Sequence, residues 1–335
     1  MLIFSGIGLI GLTVTWVCAG CYETWMRRLH LGQYIRDYGP DIHQKKAGTP
    51  TMGGLIILMI FIPLVLLWSA LTHSLDAKLL FLLGSTLGFG LIGLLDDLLK
   101  FRKKESLGLK ARHKLLLQLV VALPLAWAAT SLSGGNALVI PFTSLTLQLG
   151  TALKVIFVTF VLIAVVNALN LTDGLDGLAT GTTLIMLLPY LVIFWLAQQQ
   201  ALSEYVVLFS LVLLGFLHFN LYPARLFLGD SGAFALGGFL VGLAVLSDTE
   251  LLLPLIAFVP LAETLSVFAQ VTSYHFWKRR IFKVAPLHHH FELARGIDYS
   301  FWLPNVEWPE PQITRRFWLV AVLAALLGLL AYLAR

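Results

Sequence analysis

Aspartates held in short polar motifs between apolar runs are the residues of this sequence best suited to chemistry. Asp96 and Asp97 close the run GLLDDLLK, Asp173 and Asp176 lie in NLTDGLDGLA, and Asp230 lies in FNLYPARLFLGDSG. A carboxylate near lipid is costly, so one that is kept there marks a site of function by default. Adjacent helix positions point about 100° apart. Asp96 and Asp97 are therefore not expected to chelate one ion from an ideal helix. One would bind a cation while the other faces a substrate. The C-terminal end of a helix is also the wrong pole for negative charge, which argues against simple capping. Asn170, Asp173 and Asp176 recur every three residues, on one side of a helical turn, and Gly174 and Gly177 allow a backbone or ligand to come close. Asp230 sits where the chain turns into a helix. Such a helix start attracts phosphate, while a carboxylate there could hold Mg²⁺ against substrate phosphates. Phe227, three residues earlier, is placed where a base could stack.

Histidine and lysine motifs add to this set. His288, His289 and His290 are consecutive in PLHHHFE. Their directions prevent easy sharing of one metal, and the absence of H-E-x-x-H argues against zinc protease chemistry. Such imidazoles could instead donate hydrogen bonds to a diphosphate. The segment QKKAGTPTMGG (44–54) sets Lys46 and Thr51 just before an apolar run and suits phosphate contact, although it is not a Walker A sequence. Lys114 ends a basic loop at a helix boundary and could face the same site.

The elements that must position these residues are membrane helices. Of 335 residues, 58% are hydrophobic and 12% charged, about half the charge of an ordinary soluble domain. That composition excludes a soluble body and excludes disorder. Two cysteines, Cys18 and Cys21, exclude a disulfide framework. A spanning helix needs about 20 mostly apolar residues. Ten stretches qualify, near 2–22, 52–71, 79–98, 114–132, 152–170, 178–197, 204–221, 233–247, 251–273 and 316–334. The loops left over are too short for a separate soluble domain, so 1–335 reads as one all-α polytopic membrane domain. Region 133–151, with alternating apolar residues and Gly-Gly-Asn punctuation, predicts a small β-hairpin.

Basic residues favour the cytoplasmic side. With ten spans, 20 of the 23 Lys and Arg fall on one side, leaving only Lys78, Lys154 and Arg335 on the other. Both termini are then expected outside, with all five aspartates at the cytoplasmic face. The net charge of +5 is thus a topology signal, and no nucleic-acid partner is expected. Transporters tend to hold charges near the bilayer midplane and to show inverted repeats. Here the acids gather at one face and no repeat is evident, which argues against transport.

Taken together, QKKAGTPTMGG, GLLDDLLK, NLTDGLDGLA, FNLYPARLFLGDSG and APLHHHFE resemble the polyprenyl-phosphate N-acetylhexosamine-1-phosphate transferase family, in that family's order from residue 44 to 292. The resemblance implies a phosphoglycosyl transferase of the bacterial inner membrane. It would move phospho-MurNAc-pentapeptide from UDP-MurNAc-pentapeptide to undecaprenyl phosphate, with Mg²⁺, giving lipid I and UMP. A UDP-GlcNAc-using transferase is the alternative. By the same resemblance, Asp230 and Asp97 would ligate Mg²⁺, and Asp96 would deprotonate or align the lipid phosphate. His289 would join these three in catalysis. Asn170, Asp173, Asp176 and Phe227 would form the uridine pocket. Asn220, Lys46, Thr51, Lys114, His288 and His290 would surround the diphosphate or sugar. A homodimer is also implied.

Overall fold

The computed structural model describes residues 2–29, 48–105, 107–132, 135–293, 299–304 and 306–335. Its helices follow the apolar runs: α1 (Leu2–Arg28), α2 (Gly53–Thr72), α3 (Ala77–Lys103), α4 (Ala111–Leu132), α5 (Thr151–Thr172), α6 (Leu178–Leu196), α7 (Gln200–Asn220) and α8 (Gly229–Leu246). After these come α9 (Leu253–Ile256), α10 (Phe258–Trp277), α11 (Leu287–His290) and α12 (Glu310–Leu333). Among the described residues, nine helices are long and apolar enough to cross a membrane, or ten if the bent pair 250–256 and 258–277 is one span. The hairpin is present as β1 (Ala137–Val139) and β2 (Thr146–Gln148), paired antiparallel with Leu138 opposite Leu147.

The stretch 251–273 is not the single straight helix that its hydropathy predicts. It bends by 84° at a break centred on Ala257. Two prolines account for this. Pro254 lies at the start of α9 and Pro260 in the first turn of α10, where a missing N–H costs no helical bond. The apolar run thus contains two helix starts.

α8 forms the axis of the bundle. Its apolar stretch is 89% buried, against 22–67% for the other spanning helices. Bilayer helices gain little from the hydrophobic effect against one another and approach closely through small residues. A Cβ on Gly93 of α3 would lie 2.1 Å from the Asp230 carbonyl oxygen of α8. One on Gly54 of α2 would lie 1.9 Å from the Gly232 amide nitrogen, and one on Gly238 of α8 would lie 2.4 Å from the Ser85 carbonyl oxygen. These contacts bring α2 and α3 backbone to backbone with α8 and fix where their ends meet.

At the other end of the bundle, a buried Lys154 donates to Glu250 (2.8 Å) and to the Ala137 carbonyl (3.1 Å). This pair ties α5 to the hairpin and to the turn before α9.

Candidate active site

The close packing of α3 against α8 places the aspartates of GLLDDLLK and GDSG together. Asp96, Asp97 and Asp230 each offer a carboxylate oxygen, and these oxygens lie within 4.8 Å of one another. The angle between adjacent helix positions does not separate Asp96 from Asp97, because the third carboxylate comes from a different helix and is within reach of both.

Asp97 does more than join the cluster. Its two oxygens accept the backbone N–H groups of Asp230 (3.1 Å) and Ser231 (2.9 Å). These are unpaired donors in the first turn of α8. The carboxylate that is unfavourable at the end of its own helix therefore caps the positive end of another. Gly229, at φ +74°, makes the entry possible, since a Cβ there would lie 2.8 Å from Asp97 Oδ2 and 3.1 Å from Thr51 Oγ1. Thr51 is thereby brought beside Asp97. Its segment is pinned by Phe227 N–H donating to Pro50 O (2.8 Å) and by Gly53 N–H donating to Phe227 O (2.9 Å).

Two lysines bind the cluster. Lys114 lies 2.8 Å from Asp230 Oδ2 and 3.3 Å from Asp96 Oδ1, and Lys100 lies 2.7 Å from Asp96 Oδ2 and 3.0 Å from Asp230 Oδ2. Leu109 N–H donates to Asp96 Oδ1 (2.8 Å), and Asn170 Nδ2 donates to Asp230 Oδ1 (3.0 Å). Lys100 was legible only as positive-inside charge, although its spacing of four from Asp96 and three from Asp97 puts it on their helical face. Three carboxylates and two ammoniums leave one formal negative charge. A set of hard oxygen donors with that balance fits a divalent cation such as Mg²⁺.

Asp173 lies just beyond α5, and its carboxyl is pushed up to about 8, chiefly by burial and then by repulsion from Asp230, Asp97 and Asp176, with Lys100 opposing. Asp176 is tied into the fold around it. Its Oδ2 accepts Ala224 N–H (2.9 Å), and its own N–H donates to Glu310 Oε1 (2.8 Å). Asn220 is buried, accepts from Thr180 Oγ1 (2.8 Å) and donates to Leu226 O (3.1 Å). Both side chains brace the turn that leads to Phe227. Lys46 lies outside the described residues.

The three histidines have separate surroundings. His288 is buried, its Nδ1 and backbone nitrogen each lie 3.2 Å from Glu263 Oε2, and a Cβ on Gly174 would meet its Nε2 at 2.2 Å. It therefore seats the Asp173 loop against α10. His290 Nδ1 accepts Lys283 N–H (3.0 Å), and burial pushes its imidazole pKa down, which favours the neutral ring. His289 keeps some exposure and is oriented by Glu292, 2.6 Å from its Nδ1. Sequence reasoning gave no signal for Glu263, which reads as one polar residue in an apolar run.

Comparison with known proteins agrees with this geometry. The profile of Glycosyl transferase family 4 matches residues 79–248, and the phospho-N-acetylmuramoyl-pentapeptide-transferase signature 1 matches residues 46–58. The chain is 42% identical over 337 residues to the phospho-N-acetylmuramoyl-pentapeptide-transferase of Desulfitobacterium hafniense (strain DSM 10664 / DCB-2), covering 97% of this chain and 96% of that one. The enzyme of the same name from Bacillus subtilis (strain 168) is 39% identical over 321 residues, covering 96% and 95%. With those matches spanning its whole bundle, this chain belongs to the phospho-N-acetylmuramoyl-pentapeptide-transferases, membrane-embedded enzymes of peptidoglycan synthesis.

Proposed function

We propose that the protein transfers phospho-MurNAc-pentapeptide from UDP-MurNAc-pentapeptide to undecaprenyl phosphate, releasing UMP and forming lipid I, with Mg²⁺ as cofactor. The observation that carries this reading is the meeting of Asp96, Asp97 and Asp230 with Lys100 and Lys114 at one end of the spanning helices. A water-soluble polyanion and a lipid with its phosphate at the surface can react only at such an end. By the distribution of Lys and Arg, we take this end as cytoplasmic and both termini as periplasmic.

In the reaction, an oxygen of the lipid phosphate attacks the phosphorus bonded to the sugar. The bond from that phosphorus to the UMP oxygen breaks, and UMP leaves with the electron pair. One diphosphate linkage is exchanged for another, so no further energy source is needed. Mg²⁺, when bound by Asp230 and Asp97 with Asp96 beside them, would supply neutralisation of diphosphate charge. Lys100 and Lys114 would pass from the carboxylates to the substrate phosphates, adding to that neutralisation as charge shifts to the leaving oxygen. Asp96 would align or deprotonate the lipid phosphate, a competent nucleophile without any aspartyl intermediate. Asn170, which holds Asp230 in place, would with Asp173, Asp176 and Phe227 border the uridine. Thr51, Lys46 and His289 would approach the diphosphate or sugar, and Asn220, His288 and His290 would hold the loops that carry these contacts. The association of two copies belongs to the same proposal, and mass measurement in detergent tests it.

The test is UMP release by purified enzyme with undecaprenyl phosphate, comparing UDP-MurNAc-pentapeptide with UDP-GlcNAc, with and without chelator. Turnover is expected only with the former and only without chelator. Asp230→Ala is expected to abolish it while leaving the protein folded. Near-normal turnover by Asp230→Ala, or preference for UDP-GlcNAc, would overturn the assignment.

A further inference from the structure

The segment following α10 carries chemistry that the transfer reaction leaves unused. Along α10, Leu265, Phe268, Val271 and Tyr274 recur every three residues and are 50–67% exposed, so they form an apolar stripe that winds about half-way round the helix from Leu265 to Tyr274. The stripe ends at a cavity of about 630 Å³ whose wall holds three cations, Lys278, Arg279 and Arg280, and three aromatic rings, Tyr274, Tyr299 and Trp302, with no acidic side chain among the described residues of the lining. Among the described residues none of these cations forms an ion pair. The cations lie over the rings instead. Arg280 is 4.1 Å from the Tyr299 centroid and 5.5 Å from that of Tyr274. Arg279 is 5.9 Å from Trp302, and Lys278 is 5.6 Å from Tyr274.

The wall behind these side chains is built rather than loose. Gln270 Oε1 accepts the N–H groups of Ile281 and Phe282 (3.0 Å each), and its Nε2 donates to Phe282 O (3.1 Å). Ser273 Oγ donates to Arg279 O (2.9 Å). The facing segment 299–302 is joined by Trp302 N–H to Arg280 O (3.1 Å) and by Tyr299 OH to Lys283 O (2.8 Å). Guanidinium groups seated over rings lose less freedom when they bind, and their fork of donors fits phosphate oxygens.

We propose that this cavity seats the phosphate of an anionic membrane phospholipid, with the acyl chains lying along the stripe from Tyr274 to Leu265. Charge complementarity selects a lipid of negative headgroup over a zwitterionic one. The continuity of stripe and cavity selects a lipid over a soluble anion, which would leave the stripe unused. Trp277 (64% exposed) and Phe276 (70% exposed) beside the seat are residues suited to headgroup depth. Among the described residues, none of the lining belongs to the carboxylate cluster.

The test is native mass spectrometry of the full chain, delipidated in neutral detergent. Phosphatidylglycerol, phosphatidylcholine of the same chains, inorganic phosphate and undecaprenyl phosphate are titrated separately. Phosphatidylglycerol is expected to bind, phosphatidylcholine far less, and inorganic phosphate not at all. The double variant Arg279→Gln/Arg280→Gln is expected to bind phosphatidylglycerol about thirtyfold more weakly, from roughly a fivefold loss per cation near a charged surface. Ser300→Asp, which adds negative charge to the lining and leaves every stacked ring in place, is expected to weaken it too, so the result does not hang on one variant's folding. Equal binding of both phospholipids, phosphatidylglycerol affinity unchanged in Ser300→Asp, equal occupancy by inorganic phosphate, or displacement of phosphatidylglycerol by substoichiometric undecaprenyl phosphate would each overturn the proposal.

Discussion

Gly93 gives the sharpest handle on how the fold builds the site. It lies on α3 one turn before Asp96 and Asp97, where α3 touches the start of α8. A Cβ at Gly93 would lie 2.1 Å from the Asp230 carbonyl oxygen, 2.4 Å from its carbonyl carbon and 2.7 Å from Ser231 N. All three are backbone atoms, so no side chain can swing aside. Against a contact limit of 3.4 Å, the two helices must part by about 1.3 Å in Gly93→Ala. That displacement falls on the residue whose carboxylate completes the cluster. Misplacement of a reacting group by about 1 Å costs on the order of 10²-fold in rate, and overpacking costs about 1–3 kcal/mol of stability. Gly93→Ala is therefore expected to release UMP about 100-fold more slowly while still folding, with a lowered melting temperature. Gly84→Ala, on the same helix, is the control, since its Cβ would meet nothing closer than the Leu125 side chain at 3.4 Å. It should keep near-normal turnover. Equal activity in the two variants would refute the argument that close approach of α3 and α8 sets the carboxylate geometry.

Other perturbations probe separate parts of the molecule. Lys154→Met strands buried Glu250 and is expected to cost about 3–5 kcal/mol in a denaturation midpoint assay, whereas Lys154→Met/Glu250→Leu should recover most of it; equal loss in both would show that the ion pair is not what the single variant disrupts. Asp173 titrates near 8 when folded against 3.8 ordinarily, so the folded chain keeps a proton that the unfolded chain gives up. Its stabilising contribution is complete below the lower value and is lost as pH rises through the higher one. In chelator, Asp173→Asn should therefore gain melting temperature relative to wild type as pH rises from about 4 to about 8, with no further gain above that, and a constant difference would contradict the shift. Asn220→Ala removes the bonds to Thr180 and Leu226 and should cost about 1–3 kcal/mol; an unchanged melting temperature with a raised KM would make Asn220 a substrate contact instead.

Much of this architecture was legible in the chain because hydropathy acts over long runs. Twenty apolar residues can do little but span a bilayer, so the nine spanning helices among the described residues and the short hairpin follow from pattern alone. The break at Ala257 was not legible, since Pro254 and Pro260 are tolerated in a straight apolar run and only packing reveals that each starts a helix. The family resemblance already set Asp97 and Asp230 at one ion with Asp96 beside them; what the sequence did not show is how glycines far apart in it bring α3 and α8 into contact there. Lys100 was hidden among basic residues that topology already explained. His288 and Asn220 show the reverse difficulty. Residue type set both beside the diphosphate or sugar but did not show that each is buried against a partner of its own, Glu263 for His288 and Thr180 for Asn220.

The most direct measurement is an anomalous-scattering map from crystals of the enzyme soaked in Mn²⁺, a stand-in for Mg²⁺ with strong signal. The account requires one peak within coordination distance of Asp97 and Asp230, absent in Asp230→Asn. A peak elsewhere in the bundle, or one that persists in Asp230→Asn, would contradict it.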